Sequence, residues 1–196
     1  MMTRENFTCK VVSELIQDKF SILIHQAKDV NNYGGYFDYS TKEFVVAMKN
    51  KMGFEILIHE YCHYLQWKED RKYFLKLVKD CGIIFDWLDG KFYKKSIIES
   101  ATRGVMELEW DCEKRSVDTI KKYKLDVNVE DYCRSANSYI LFYHMVKENR
   151  QWYKKSPYNT KLVNSMSSHL HDLDYYLDRN NITEKQHKQY LKIIGQ

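Results

Sequence analysis

Apolar residues recur every three or four positions along most of this chain, and this spacing constrains the fold more than any other feature of the sequence. A helix turns once in about 3.6 residues, so residues spaced in this way make one face of an α-helix apolar. The spacing predicts helices over 12–27, 54–67 and 96–122 and from about 129 onward, with a further amphipathic segment around 74–78.

One stretch departs from the helical pattern. Residues 36–39 and 44–48 are rich in aromatic and β-branched side chains and flank the short polar link 40–43. This arrangement is typical of a β-hairpin. Turn-forming residues precede it at 31–35 and follow it at 50–53. We therefore expect an α+β fold that is mainly helical, with one small antiparallel sheet packed against the helix that follows it.

The length favours a single domain over 1–196. A chain of 196 residues fits one domain and leaves little room for two. Aromatic residues make up 15% of the chain, which is far more than a disordered chain contains. We expect the core of this domain over about 30–120 and a helical C-terminal part over 121–196.

Charge and cysteine content set weaker limits. Lys and Arg total 31 against 27 Asp and Glu, a net charge of +4 that permits a nucleic-acid partner but does not imply one. The five cysteines form no CxxC pair, so neither a disulfide framework nor a cysteine zinc knuckle is expected. The chain starts without the apolar core of a signal peptide, and its apolar runs fall far short of the ~20 residues of a membrane helix. We expect a cytoplasmic protein with no membrane partner.

The sequence His59-Glu60-Tyr61-Cys62-His63 is an HExxH motif, and it lies within the predicted helix over 54–67. Residues four apart on a helix stand on the same side, one turn from each other. Two imidazoles placed in this way can bind one Zn²⁺. Glu60 is then positioned to take a proton from a metal-bound water. The motif predicts a zinc site with His59 and His63 as ligands and Glu60 as the general base.

A catalytic zinc site needs a third protein ligand, and the long helix over 96–122 offers several acidic residues for it. The apolar stripe of this helix centres near Leu108 and Cys112. Glu109 lies about 70° from that centre, whereas Glu107 lies about 130° away, nearer to solvent. We therefore predict Glu109 as the third ligand and retain Glu107, which forms an i,i+4 pair with Asp111, as the main alternative.

Other residues near these helices have less specific patterns. Glu113, one turn after Glu109, is predicted to hold a histidine or an arginine beside the metal. Cys62 and Cys112 fall on apolar helix faces and are interpreted as small buried core residues. Three further histidines compete weakly as third ligands: His144, His169 and His171.

A hairpin, then an HExxH helix, then a glutamate on a later helix resembles the gluzincin metallopeptidases, and most of all their compact versions and small metallopeptidases of phages and bacteria. The resemblance covers roughly residues 30–120, and its one specific motif is His59–His63. It implies a zincin-like fold, bound Zn²⁺ and cleavage of peptide bonds in a peptide or protein substrate. It also implies that the strand over 44–48 pairs with the substrate backbone. The pair Glu107 and Asp111 fits the ExxxD pattern of that family better than Glu109 does.

Two other questions stay open in the sequence. An oxyanion needs a donor besides the metal, and Tyr139, Tyr143 and His144 are candidates, although they are better explained as core residues. The aromatic and basic tract over 143–155 could stack on single-stranded nucleic acid, but a helix end with anchored aromatic residues explains it better. The alternative function is a non-catalytic, zinc-stabilised binding or regulatory domain, associated in one version with nucleic acid.

Overall fold

The fold was derived from a computed structural model, which describes residues 1–30, 34–158 and 160–195. The elements in chain order are α1 (Arg4–Gln17), β1 (Ser21–His25), β2 (Gly35–Asp38), β3 (Glu43–Ala47), α2 (Gly53–Glu69), α3 (Arg71–Leu88), α4 (Lys95–Tyr123), α5 (Val129–Asn149), α6 (Thr160–Val163), α7 (Leu173–Leu177), a 3₁₀ turn (Arg179–Asn181) and α8 (Glu184–Ile194). The predicted mainly helical α+β class is confirmed, as are the hairpin and the helices that became α2, α4 and α5.

The chain divides into two compact units. One consists of Met1–Arg71 and Cys112–Asn128, and the other of Lys72–Asp111 and Val129–Gln196. Helix α4 is continuous and contributes its C-terminal part to the first unit and its N-terminal part to the second. The prediction of a single domain over 1–196 stays a prediction.

The first unit contains a sheet of three strands in the order β1-β3-β2. The predicted hairpin is present, because β2 and β3 pair antiparallel with Phe37 opposite Phe44. The sheet as a whole is mixed, not antiparallel as predicted, because β1 joins β3 in parallel with Leu23 opposite Val45. Of the turn predicted over 31–35, residues 31–33 lie outside the described part of the chain.

The predicted first helix is too long, because α1 ends at Gln17 and not at Ala27. The amide of Lys19 donates to the carbonyl of Ile16, and the amide of Phe20 donates to the carbonyl of Leu15. Lys19 has φ 63°, in the left-handed region. These features form a Schellman motif, which ends a helix and usually carries glycine at this position. Because no glycine marks this end, and because the apolar spacing continues into the residues of β1, the sequence predicts a helix that is too long.

The second unit is built around a core of side chains from α3, α4, α5 and the C-terminal helices. The rings of Trp152 and Tyr153 each pack against Phe142, with centroids 5.6 Å apart in both pairs. The tract over 143–155 is therefore a helix end anchored by aromatic residues, which was one of its two interpretations.

Within the described ranges, no helix is both long and apolar enough to cross a membrane. All five cysteines are free thiols.

Replacing Lys19 by glycine should stabilise the protein by about 1 kcal/mol, because an exposed lysine pays a steric cost in the left-handed region that glycine does not. The urea midpoint of unfolding measures this. Lys79→Gly is the matched control, since Lys79 is an exposed lysine within α3, where glycine should destabilise by about 1 kcal/mol. Equal destabilisation by both changes would contradict the assignment of the helix end.

Candidate metal centre

Helix α2 places the two motif histidines one turn apart, as the sequence predicts. Their Nε2 atoms face each other at 3.1 Å, and the two rings stand at 90° with centroids 4.7 Å apart. Both side chains are only partly exposed. The helix thus brings the two imidazole nitrogens to one point.

The Nδ1 atoms of the two rings have different partners. His63 Nδ1 lies 2.8 Å from Gln66 Oε1, and His59 Nδ1 lies 3.2 Å from Glu113 Oε1. An amide oxygen and a carboxylate oxygen are both acceptors, so each Nδ1 is assigned the proton as donor. In the neutral form of each ring, Nε2 then carries the lone pair, which makes Nε2 the candidate metal-binding atom.

The arrangement of these nitrogens fits a metal ion. Two nitrogens bound at about 2.05 Å to a tetrahedral ion stand about 3.3 Å apart. The separation between the Nε2 atoms of His59 and His63 is 3.1 Å. The pair therefore has the spacing of two ligands of one metal ion, and the same distance also suits an N–H···N hydrogen bond between the two rings.

Helix α4 brings two side chains to His59 from the same unit. Glu113 is 3% exposed, and its carboxylate contacts the ring as described, so the predicted contact of Glu113 with a histidine is confirmed. Cys112 is fully buried, and its Sγ lies 3.6 Å from His59 Nδ1 and 3.3 Å from the His59 carbonyl oxygen. Among the described residues, His59, His63 and Cys112 form a group whose donor atoms all lie within 4.8 Å of one another.

The interpretation of Cys112 as an ordinary core residue is therefore incomplete, because its thiol contacts the motif. A signal for this was present in the sequence. Cys112 stands at the centre of the apolar stripe of α4, so it was the residue of that helix most directed into the core. Apolar periodicity alone does not distinguish a thiol that packs from one that touches a histidine.

Two effects act on the protonation of His59. Burial disfavours the charged ring, but Cys112 and Glu113 beside it more than offset this and raise the pKa of His59 well above its usual range. Burial likewise raises the pKa of the neighbouring Cys62 thiol, which lies 3.8 Å from the hydroxyl of Thr119. The surroundings of His59 therefore favour positive charge.

The predicted third ligand, Glu109, lies on α4 one turn before Glu113 and is 7% exposed, as expected for the shoulder of the buried face. Its alternative, Glu107, accepts a hydrogen bond from Tyr73 in the second unit. Glu109 remains the predicted third ligand, with Glu107 as its alternative.

The oxyanion candidates Tyr139 and Tyr143 lie on α5, with their hydroxyl oxygens 3.1 Å apart. Burial, and after it the nearby charge of Glu109, raises the pKa of both hydroxyls well above the usual range. The two are therefore neutral donors in the same unit as Glu109.

The three weaker histidine candidates also lie in the second unit. His144 is buried, and its Nε2 donates to the carbonyl of Tyr176 at 2.7 Å. Burial lowers the pKa of this ring. His169 is exposed, and His171 stacks on Tyr175 with ring centroids 3.7 Å apart. These contacts are typical of structural histidines.

Strand β2 lies against α2 beside the HExxH motif. A Cβ atom on Gly35 would stand 3.4 Å from Cγ of Glu60 and only 2.6 Å from Cγ2 of Ile56. The prediction that the strand over 44–48 pairs with a substrate is wrong, because β3 is the central strand and already pairs with β1 and β2 on its two sides. Among the described strands, β2 is the edge nearest to Glu60.

Comparison with known proteins adds no identity. No protein-family model matches this chain, and no curated protein and no solved structure is significantly similar to it.

Replacing Gly35 by alanine should destabilise the protein by about 1–3 kcal/mol, because the new methyl group would overlap Ile56 and the carbonyl oxygen of Val45, 2.8 Å away. Gly82→Ala is the control, since Gly82 lies within α3 with nothing within 4 Å of an added Cβ, and alanine there should stabilise by about 0.5–1 kcal/mol. Urea unfolding compares the two. A neutral Gly35→Ala would show that β2 does not lie this close to α2.

Proposed function

We propose that this protein is a zinc-dependent metallopeptidase that hydrolyses peptide bonds, with His59 and His63 as metal ligands and Glu60 as general base. The observation that carries the proposal is the pair of facing Nε2 atoms, each in a ring whose Nδ1 has an acceptor. The resemblance of the HExxH helix and its preceding hairpin to the gluzincins supports the same class.

The residues in and around the motif have distinct roles in this proposal. Glu113 and Gln66 hold the two imidazoles in the tautomer that directs Nε2 toward the metal. Bound zinc supplies a water of lowered pKa and polarises the substrate carbonyl. Glu60 accepts the proton of that water at its carboxylate and delivers it to the leaving amine. Tyr139 and Tyr143 stay candidates for an oxyanion donor.

The substrate in this proposal is a peptide or an unfolded protein segment. An extended peptide can add to the exposed edge of a sheet through main-chain hydrogen bonds. Because β2 is an edge strand and Gly35 lies beside Glu60, a peptide paired with β2 would pass next to the general base. We also propose the cytoplasm as the compartment, since all five cysteines are free thiols.

One observation favours the second candidate function, a non-catalytic domain stabilised by zinc. The group of His59, His63 and Cys112 includes a thiol, and structural zinc sites commonly use cysteine ligands. Such a site needs no general base, whereas this motif carries Glu60 between its histidines. We therefore rank the peptidase first.

The roles of the motif residues can be separated by zinc content and cleavage. Wild type and Glu60→Gln should each hold about one zinc, because Glu60 is not a ligand, and His63→Ala should lose it. Glu60→Gln should cut a quenched-fluorescence peptide library ~10²–10⁴-fold more slowly than wild type. Glu55→Gln, one turn before the motif on α2, is the matched control and should keep both properties. Zinc-loaded wild type that cleaves no peptide would favour the structural alternative, and wild type without zinc would contradict both candidates.

The third ligand can be tested in the same way. Glu109→Ala should weaken zinc binding strongly, because it removes a predicted ligand from the metal, while Glu107→Ala should leave it nearly unchanged. Competition with a chelator measures both affinities. The opposite order would assign the ligand to Glu107.

A further inference from the structure

We infer that Cys112 is a positioning residue that holds His59 from the side opposite the metal, and that it is not itself a zinc ligand. This inference rests on the proposed metal pair of His59 and His63. It concerns the one thiol in the group of three donors, and it bears directly on the choice between a catalytic and a structural site.

The position of the sulfur relative to the ring carries the first step. Nε2 of His59 faces His63, whereas the contact of Cys112 Sγ is with Nδ1, at 3.6 Å. The two nitrogens lie on different sides of the imidazole ring. A thiolate that shared a metal with the Nε2 atoms would lie beside Nε2, so closeness to both histidines does not make this sulfur a ligand.

The contacts of the thiol define its role. Its S–H donates to the main-chain carbonyl oxygen of His59 at 3.3 Å, and its sulfur is a weak acceptor for the Nδ1 proton that Glu113 also accepts. One side chain therefore contacts both the backbone and the ring of the same ligand. Since Cys112 is fully buried, its removal would leave space into which the ring could turn.

The consequence concerns the class of the site. If the sulfur is not a ligand, the metal is held by nitrogen and oxygen donors, as in hydrolytic zinc sites with two histidines and a glutamate. If the sulfur were a ligand, the site would be closer to the thiolate type. Whether the sulfur of Cys112 binds the metal thus distinguishes the two candidate functions.

Three variants test this inference by zinc affinity. Cys112→Ala should weaken zinc binding by about 10-fold or more, within the ~10–100-fold range seen when a group supporting a ligand is lost. Cys112→Ser should restore most of that affinity, since a hydroxyl donates and accepts in the same place. Cys133→Ala is the matched control and should keep wild-type affinity, because Cys133 is a buried thiol on α5 in the second unit. Cys112→Ala with wild-type affinity, or Cys112→Ser as weak as the alanine variant, would overturn the inference.

Cobalt substitution of the wild-type protein tests it without any variant. Co²⁺ alone, added to the metal-free protein, should give visible d–d bands and no sulfur-to-cobalt charge-transfer band in the near ultraviolet. A charge-transfer band would overturn the inference while leaving the metal site intact and favouring the structural alternative. Absence of any cobalt binding would overturn the inference together with the proposed function.

Discussion

The rest of the site depends on one interaction, the approach of two imidazole Nε2 atoms to 3.1 Å on a single helix. Two nitrogens bound to one tetrahedral metal ion stand about 3.3 Å apart, so this pair has the spacing of two ligands of one ion. Helix geometry brings the rings together. The Nδ1 atom of each ring faces an acceptor that sets its tautomer: Gln66 on α2 for His63, and Glu113 on α4 for His59. Buried carboxylate and thiol groups beside His59 favour positive charge there.

Helix α4 carries the acidic residues named in the proposal. Cys112 and Glu113 lie on its inward face, and Glu109 lies one turn earlier on the same helix. Residues four apart share a helix face, so Glu109 lies on the same face of α4 as Glu113.

Much of this could be predicted from sequence, for a physical reason. Apolar periodicity over a long segment is a strong signal, so α2, α4 and α5 and the burial of Glu109 followed from spacing. The end of α1 did not, since Lys19 takes the left-handed conformation without glycine. The central place of β3 depends on a pairing with β1 that no local pattern encodes. The contact of Cys112 with His59 depends on how α2 and α4 meet side chain by side chain.

The central claim is that both histidines bind one zinc through Nε2. Nitrogen-15 NMR of the histidine rings, recorded before and after one equivalent of zinc, tests it directly. The account predicts that Nε2 of His59 and His63 shifts to metal-bound values while Nδ1 stays protonated, and that the remaining histidine rings do not respond. Binding through Nδ1, or no response from these two rings, would contradict it.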